Sequence, residues 1–155
     1  LVVHAEVAER FLPDVARGLE QRGVELVGDA AARAVLPELS EASYDDFRTE
    51  FLGPKMSIAV VGSLDAAVDH INRYGSRHTD AIIASDAASI ERFASRVDTA
   101  VVMVNASTRF NDGGELGIGA EIGISTDKVH ARGPCGTREL TTYKYVVTGA
   151  GQVRG

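Results

Sequence analysis

The densest run of hydrogen-bonding side chains follows an apolar segment: Asn105-Ala106-Ser107-Thr108-Arg109 comes directly after Ala100–Val104 (AVVMV). Amide, hydroxyl and guanidinium groups gathered just beyond a strand are the groups that hold a small polar or anionic ligand, and the same run also reads as a solvated turn. Downstream lie Gly113, Gly114, Gly117, Gly119 and Gly123. Their spacing is not that of a dinucleotide loop, because after Gly117-Ile118-Gly119 the third glycine position holds Ile122. No glycine precedes Lys-Ser or Lys-Thr in a phosphate-loop arrangement either. The glycines read instead as tight turns and close backbone approaches, whose N–H groups can still grip an oxyanion. His4, His70, His78 and His130 are scattered, with no cysteine partners and no i,i+4 pair, so no metal site is expected. Cys135 is the single cysteine; Arg132 and Arg138 are cations near it in sequence, but the turn-like Arg132-Gly133-Pro134-Cys135-Gly136 supplies no evident general base, so it is not read as a nucleophile.

Positioning these residues falls to alternating strands and helices. Val7, Ala8, Phe11, Leu12, Val15 and Leu19 mark one face of a helix ending at Gly23, with Pro13 inside it predicting a kink or two abutting helices. The short apolar run Val24–Val27 precedes a helix expected over Ala30–Leu39. Met56–Val61 reads as a strand, and Ser63 as the cap of a helix over Asp65–Tyr74. Ala81–Ala84 is the next strand, Ser85 the next cap, Ala87–Val97 the next helix and Ala100–Val104 the last strand of the series. Continuously apolar strands alternating with helices predict an α/β fold, a mostly parallel sheet covered on both faces. In such sheets ligands collect beyond the carboxyl ends of the strands, where Asn105–Arg109 lies. Tyr143–Thr148 (YKYVVT) alternates like an exposed strand that joins the sheet antiparallel or pairs with another chain or domain.

Composition narrows the classes. At 155 residues with 45% hydrophobic side chains, the chain is long enough to bury a core without disulfides or structural metal. Residues 1–104 carry 10 basic and 17 acidic groups and 105–155 carry 6 and 5, so the glycine-rich end is mildly basic against an acidic body. A net charge of −6 argues against a broad nucleic-acid footprint but leaves small anions open. With no run of 18 apolar residues and no basic-then-apolar leader, neither a membrane span nor a secretory signal is expected, and the setting is read as cytoplasmic. From the residues alone the chain is an α/β domain that binds a small anion, or an assembly module whose terminal strand completes a partner's sheet.

Longer motifs carry a resemblance. Thr49-Glu50-Phe51-Leu52-Gly53-Pro54 is similar to the Glu-x-Phe-Gly-Pro turn of the aldehyde dehydrogenase superfamily. Val104–Phe110, Asp112–Glu115, Gly119–Thr126, His130–Pro134, Gly75–Thr79 and Gly151–Arg154 together resemble its gamma-glutamyl phosphate reductase branch, across essentially the whole chain. The resemblance implies a three-layer α/β/α catalytic-domain portion over 1–110. Residues 111–155 would then be a glycine-rich segment and terminal strand packing on a cofactor or oligomerisation part outside the sequence. It implies the C-terminal portion of an enzyme that reduces L-glutamyl 5-phosphate to L-glutamate 5-semialdehyde with NADPH, in proline biosynthesis. No catalytic residue would lie in the chain itself. The nucleophilic cysteine would precede the stretch resembling Leu1–His4, and Cys135 stands where that branch usually has methionine. Asn105, Ser107, Thr108, Arg109, Gly113 and Gly114 are implied to bind substrate, Arg109 by a bidentate grip on carboxylate or phosphate. Glu50 would accept hydrogen bonds from the nicotinamide-ribose hydroxyls, with Phe51 beside it. NADP held mainly by an earlier domain, a homo-oligomeric enzyme and glutamate 5-kinase as a partner complete the expectation.

Overall fold

The apolar stripes and runs organise a computed structural model that describes all 155 residues, Leu1–Gly155. The chain divides into two units, Leu1–Thr108 and Arg109–Gly155. In the first, strands β1 (Val2–His4), β2 (Glu25–Gly28), β3 (Ser40–Glu41), β4 (Lys55–Val61), β5 (Thr79–Ile82) and β6 (Val101–Val104) accompany helices α1 (Ala5–Glu20), α2 (Ala30–Val35), α3 (Leu64–Tyr74) and α4 (Ala87–Arg96). Every ladder in this unit is parallel. One sheet has the order β1-β4-β2-β3, and β5 pairs with β6 in a second, Thr79 opposite Val101 and Ile82 opposite Val104. The parallel α/β architecture is therefore as the apolar pattern predicts.

Burial explains why these elements form. Leu12 and Ala8 on α1, Leu26 on β2, Ala32 on α2 and Ile58 on β4 share one core with Val3, Leu36 and Leu39. Val68 on α3 and Phe93 on α4 form a second with Val97, flanked by Ile82 and Val102 of the β5/β6 pair. Side-chain caps start the helices: Asp29 accepts from Ala32 N–H, Ser63 from Ala66 N–H and Asp86 from Ser89 N–H. Asp29 also accepts from the Val60 N–H at 3.1 Å, so one carboxylate ties α2 to β4.

Several boundaries depart from the sequence expectation. A single helix, rather than two abutting ones, runs through Pro13. The carbonyl that Pro13 cannot engage belongs to Glu9, an exposed residue, so the lost helical bond leaves no polar group buried. The second helix ends at Val35 rather than Leu39, because Leu36 precedes Pro37 and is driven out of the helical region. The strand expected at Ala81–Ala84 is Thr79–Ile82, and Ile83 is 77% exposed. Asp86, not Ser85, caps the following helix, its carboxylate taking both the N–H and the hydroxyl of Ser89.

The second unit contains an unanticipated antiparallel pair, β7 (Gly123–Ser125) and β8 (Gly133–Cys135), with Ile124 opposite Pro134. Tyr143–Thr148 is not a strand here: it has no ladder partner in the chain, and Tyr145 and Val147 are exposed. A strand with no edge to join has no hydrogen-bonding reason to form. No helix is long and apolar enough to cross a membrane.

Candidate functional site

At the carboxyl end of β6 the chain turns through Asn105 in the left-handed region, φ 53°. Its N–H donates to the Ile82 carbonyl at 2.8 Å. Its side-chain amide donates to the Ala84 carbonyl and accepts from the Ala84 N–H, both at 2.9 Å. Asn105 therefore extends the β5/β6 pairing by one side-chain rung and fixes where the following residues leave the sheet. Ser107 and Thr108 come next, exposed, and Thr108–Phe110 is one 3-10 turn. Asn105, Ser107 and Thr108 lie in the first unit, and Arg109, Gly113 and Gly114 in the second.

In the second unit Asp112 organises the glycines. Its carboxylate accepts from the Gly114 N–H at 2.8 Å and, at 3.4 Å, from that of Glu115, while the Gly113 carbonyl accepts from Ile118 N–H at 3.0 Å. The Gly114 N–H, expected as an oxyanion donor, is thus engaged within its own loop. Gly113 is required by close packing: a Cβ there would lie 2.8 Å from the Ala120 carbonyl carbon and 2.8 Å from the Glu121 nitrogen. Arg109 is exposed. Cys135 is buried on β8, its S–H donating to the Gly133 carbonyl at 3.4 Å.

Glu50 and Phe51 occupy a loop of the first unit between a 3-10 turn, Asp45–Phe47, and β4. Glu50 is exposed and Phe51 partly buried, and Leu52 next to them takes the left-handed φ of 51° at 89% exposure. Ser43 and Asp46 form a reciprocal box at the loop's start: the Ser43 N–H and hydroxyl donate to Asp46 at 2.8 and 2.6 Å, and the Asp46 N–H donates back to the Ser43 hydroxyl. At its end the Lys55 ammonium meets Asp46 at 3.0 Å and Glu25 at 3.1 Å, and lies 5.2 Å from the Phe51 ring centre. Hydrogen bonds from Ser43 first, then Lys55, pull the Asp46 carboxyl down to about 2, and Asp46 and Glu25 hold the Lys55 ammonium above its ordinary value. Neither Asp46 nor Lys55 was singled out from sequence, although Ser43-x-x-Asp46 has the spacing of a capping box.

The Gly75–Thr79 stretch lies at the other end of β5 from the Asn105 rung. Arg77 adopts φ 65° and its Nε is 3.7 Å from the Asp98 carboxylate, the His78 Nδ1 is 2.9 Å from the Thr79 hydroxyl, and burial pushes the Asp80 carboxyl up. These contacts brace the start of the strand.

Comparison with known proteins gives a consistent picture. The chain is 60% identical, over all 155 of its residues, to a gamma-glutamyl phosphate reductase of Rhodopirellula baltica, covering 36% of that protein. It is 55% identical over 154 residues to the protein of the same name from Caulobacter vibrioides, covering 37% of it. The crystal structure of gamma-glutamyl phosphate reductase from Thermotoga maritima superposes on the whole chain with a TM-score of 0.96 at 46% identity, and the chain covers 37% of it. The chain thus spans little more than a third of the length of the relatives it matches. The model of the aldehyde dehydrogenase family matches residues 35–121, more than half of the chain and a span that includes Glu50, Phe51 and Asn105–Arg109. On that match, supported by a parallel α/β architecture shared with a solved relative, the chain belongs to the aldehyde dehydrogenase family.

Proposed function

We propose that this chain is a catalytic-domain portion of an NADPH-dependent reductase that converts L-glutamyl 5-phosphate to L-glutamate 5-semialdehyde. The observation that carries this is 60% identity, unbroken over the full 155 residues, to a protein named for that activity. The chemistry of the residues fits. The substrate bears a carboxylate and a phosphate, and the exposed Ser107, Thr108 and Arg109 supply two hydroxyls and a guanidinium fork suited to such anions. Asn105 holds that segment at the strand end rather than offering its own amide, which Ala84 occupies. The glycines act in the same way: Gly113 and Gly114 bring the backbone close and shape the loop.

Glu50 fits the ribose end of a nicotinamide dinucleotide, since an exposed carboxylate can accept from two vicinal hydroxyls at once. Bound there, NADPH supplies the hydride. The acyl-accepting thiol is a cysteine outside this chain, because Cys135 is buried and hydrogen-bonded within its own turn. Residues 1–155 alone are then a folded but inert portion, and the intact enzyme is a cytoplasmic homo-oligomer working alongside glutamate 5-kinase in proline biosynthesis.

The test is an assay with glutamate-5-semialdehyde, phosphate and NADP. A full-length protein carrying this chain reduces NADP in a phosphate-dependent manner, whereas residues 1–155 alone melt cooperatively and show no turnover. Turnover by residues 1–155 alone, or none by the full-length protein, overturns the assignment.

A further inference from the structure

Apart from the partly buried Phe51, the loop that presents Glu50 has little apolar to hold its tip: Leu52 is 89% exposed and Glu50, Gly53 and Pro54 are exposed as well. It is instead closed at its base by charge. Asp46 and Lys55 stand at the two ends of the eight residues between them and meet at 3.0 Å, so their ion pair shuts the loop into a ring. The pair is not the ordinary mobile surface bridge. The side chain of Asp46 is 18% exposed and that of Lys55 28%, and Asp46 is first fixed by the Ser43 hydroxyl and N–H. Glu25, on the neighbouring strand β2, takes the same ammonium from another side at 3.1 Å, where β2 and β4 are already in register, Glu25 opposite Lys55. One cation is thus placed by two carboxylates, and what it is placed against is the Phe51 ring, 5.2 Å away. A cation over an aromatic face is attracted to the ring quadrupole, which favours the ring facing the ammonium. Asp46 titrates near 2 and Lys55 above its usual range, so the clasp stays fully charged through the neutral range in which a biosynthetic enzyme works.

We propose that Lys55, gripped by Asp46 and Glu25, is the positioning residue that sets the Phe51 ring and the adjoining Glu50 carboxylate for the nicotinamide-ribose end of the cofactor. This role rests on Glu50 and Phe51 being cofactor contacts. Lys55 acts through Phe51 and the closed loop and itself touches neither substrate nor cofactor. Two consequences separate it from a lysine that only holds the sheet together: its loss changes dinucleotide binding more than chemistry, and a second cation of suitable reach restores what is lost.

The test is steady-state kinetics of the full-length protein with NADP and glutamate-5-semialdehyde, alongside thermal melting. Lys55→Met keeps the aliphatic stem and removes the charge. The dinucleotide KM rises roughly 10-fold, short of the about 100-fold that an ångström of misplacement at a reacting centre can cost. Its kcat and the KM for the semialdehyde stay within about twofold of wild type, as expected when ground-state and transition-state binding are lost together. Lys55→Arg, which keeps a cation able to stack on an aromatic ring, returns the dinucleotide KM towards wild type. Asp46→Asn, which retains hydrogen bonding to Ser43 but loosens the grip on Lys55, moves the same KM in the same direction by less, and serves if Lys55→Met does not fold. A lowered melting temperature with an unchanged dinucleotide KM in these variants overturns the proposal. Phe51→Ala and Glu50→Gln are measured in parallel. If they raise the dinucleotide KM and Lys55→Met does not, only the clasp is wrong. If neither raises it, the loop is no cofactor contact and the clasp falls with that assignment.

Discussion

The two units of this chain solve the problem of order by different means. Residues 1–108 bury side chains: Leu12, Ile58 and Val68 are essentially inaccessible, and parallel strands are wedged between helices whose first turns are capped by Asp29, Ser63 and Asp86. Residues 109–155 bury almost none, since Gly113, Gly133, Cys135 and Gly136 are its only buried positions. Its apolar side chains stand in the open, Ile122 at 60%, Val129 at 86%, Tyr145 at 84% and Val147 at 92%. What orders this unit is backbone: glycine turns, the Asp112 and Glu139 carboxylates on main-chain N–H groups, and one three-rung ladder. A core confers stability that belongs to the unit itself, whereas a backbone framework with uncovered apolar residues gains its remaining stability from whatever surface covers them.

The largest effect that would separate the units comes from deleting methylene groups in each. Ile58→Ala, on an inner strand of the four-stranded sheet and 0% exposed, leaves a cavity in the main core and lowers unfolding free energy by about 2–5 kcal/mol in urea titration. Val147→Ala, removing a comparable group from the second unit, stays within about 0.5 kcal/mol. A cost for Val147→Ala in residues 1–155 comparable to that of Ile58→Ala would erase the contrast.

Within the second unit the framework is broken at its glycines. A Cβ on Gly113 runs into the backbone of Ala120 and Glu121 at 2.8 Å, and main chain cannot swing aside as a flexible side chain does. Gly117, at φ 77°, has open space around it and pays only the left-handed strain of an L residue. Gly113→Ala is therefore expected to cost about 1–3 kcal/mol and to raise amide exchange from Ile118 to Ile122. Gly117→Ala is expected to cost about 1 kcal/mol with the loop intact. Equal exchange in the two variants would mean that the close approach does not order the loop.

This same division decides how much could be read from sequence. Where side chains supply the order, periodicity reveals it. The helices beginning near Ala5, Ala30, Leu64 and Ala87 and the strand at Lys55–Val61 were all legible within a residue or two at their starts, because apolar spacing and caps are local. One misplacement there is non-local: β5 starts at Thr79 because its register with β6 begins opposite Val101, and nothing in Thr79-Asp80 announces burial. The shortened α2 and the Asp86 cap are local, set by Pro37 and by the Ser89 spacing. Where backbone supplies the order, sequence gave composition but no geometry. The β7/β8 pair and the Asp112 cap went unseen, and YKYVVT, with correct alternation, has no edge to join within the chain. The polar run Asn105–Arg109 was found because it abuts a strand, but that the Asn105 amide is committed to Ala84 could not be.

A smaller effect is expected from protonation in the first unit. His70 on α3 packs edge-on against Phe47, ring centres 5.1 Å apart, and beside Tyr74 at 4.8 Å. Burial lowers its affinity for a proton against a weaker opposing pull from Asp29. The folded state thus favours the neutral ring. The stability it contributes is fully present above the ordinary histidine value of 6.5 and is lost as pH falls through the depressed value of the folded state. His70→Phe preserves a flat ring and removes the titration, so its unfolding free energy should lose less between pH 7 and 5 than wild type. Parallel pH profiles for the two would show that His70 is not the titrating group.

The smallest effect is expected at the one residue a motif search would favour. Cys135 is the single cysteine, yet it belongs to the backbone-ordered unit, buried to 7% exposure with its S–H on the Gly133 carbonyl. A nucleophilic thiol needs access to its substrate and a cation, helix terminus or base to draw off its proton. Here the sulfur is buried, and the group it meets, the Gly133 carbonyl, is an acceptor. In a full-length protein carrying this chain, Cys135→Ser retains that acceptor contact and leaves kcat and both KM values within about twofold of wild type. Cys135→Met, which fills more volume in the same pocket, lowers the melting temperature slightly without changing kcat. Native protein should react slowly with a small alkylating reagent at this position and quickly after unfolding, as monitored by mass spectrometry of the peptide containing Cys135. Rapid native alkylation that abolishes turnover, matched by loss of kcat in both variants, would overturn the proposal that the acyl-accepting thiol lies outside this chain.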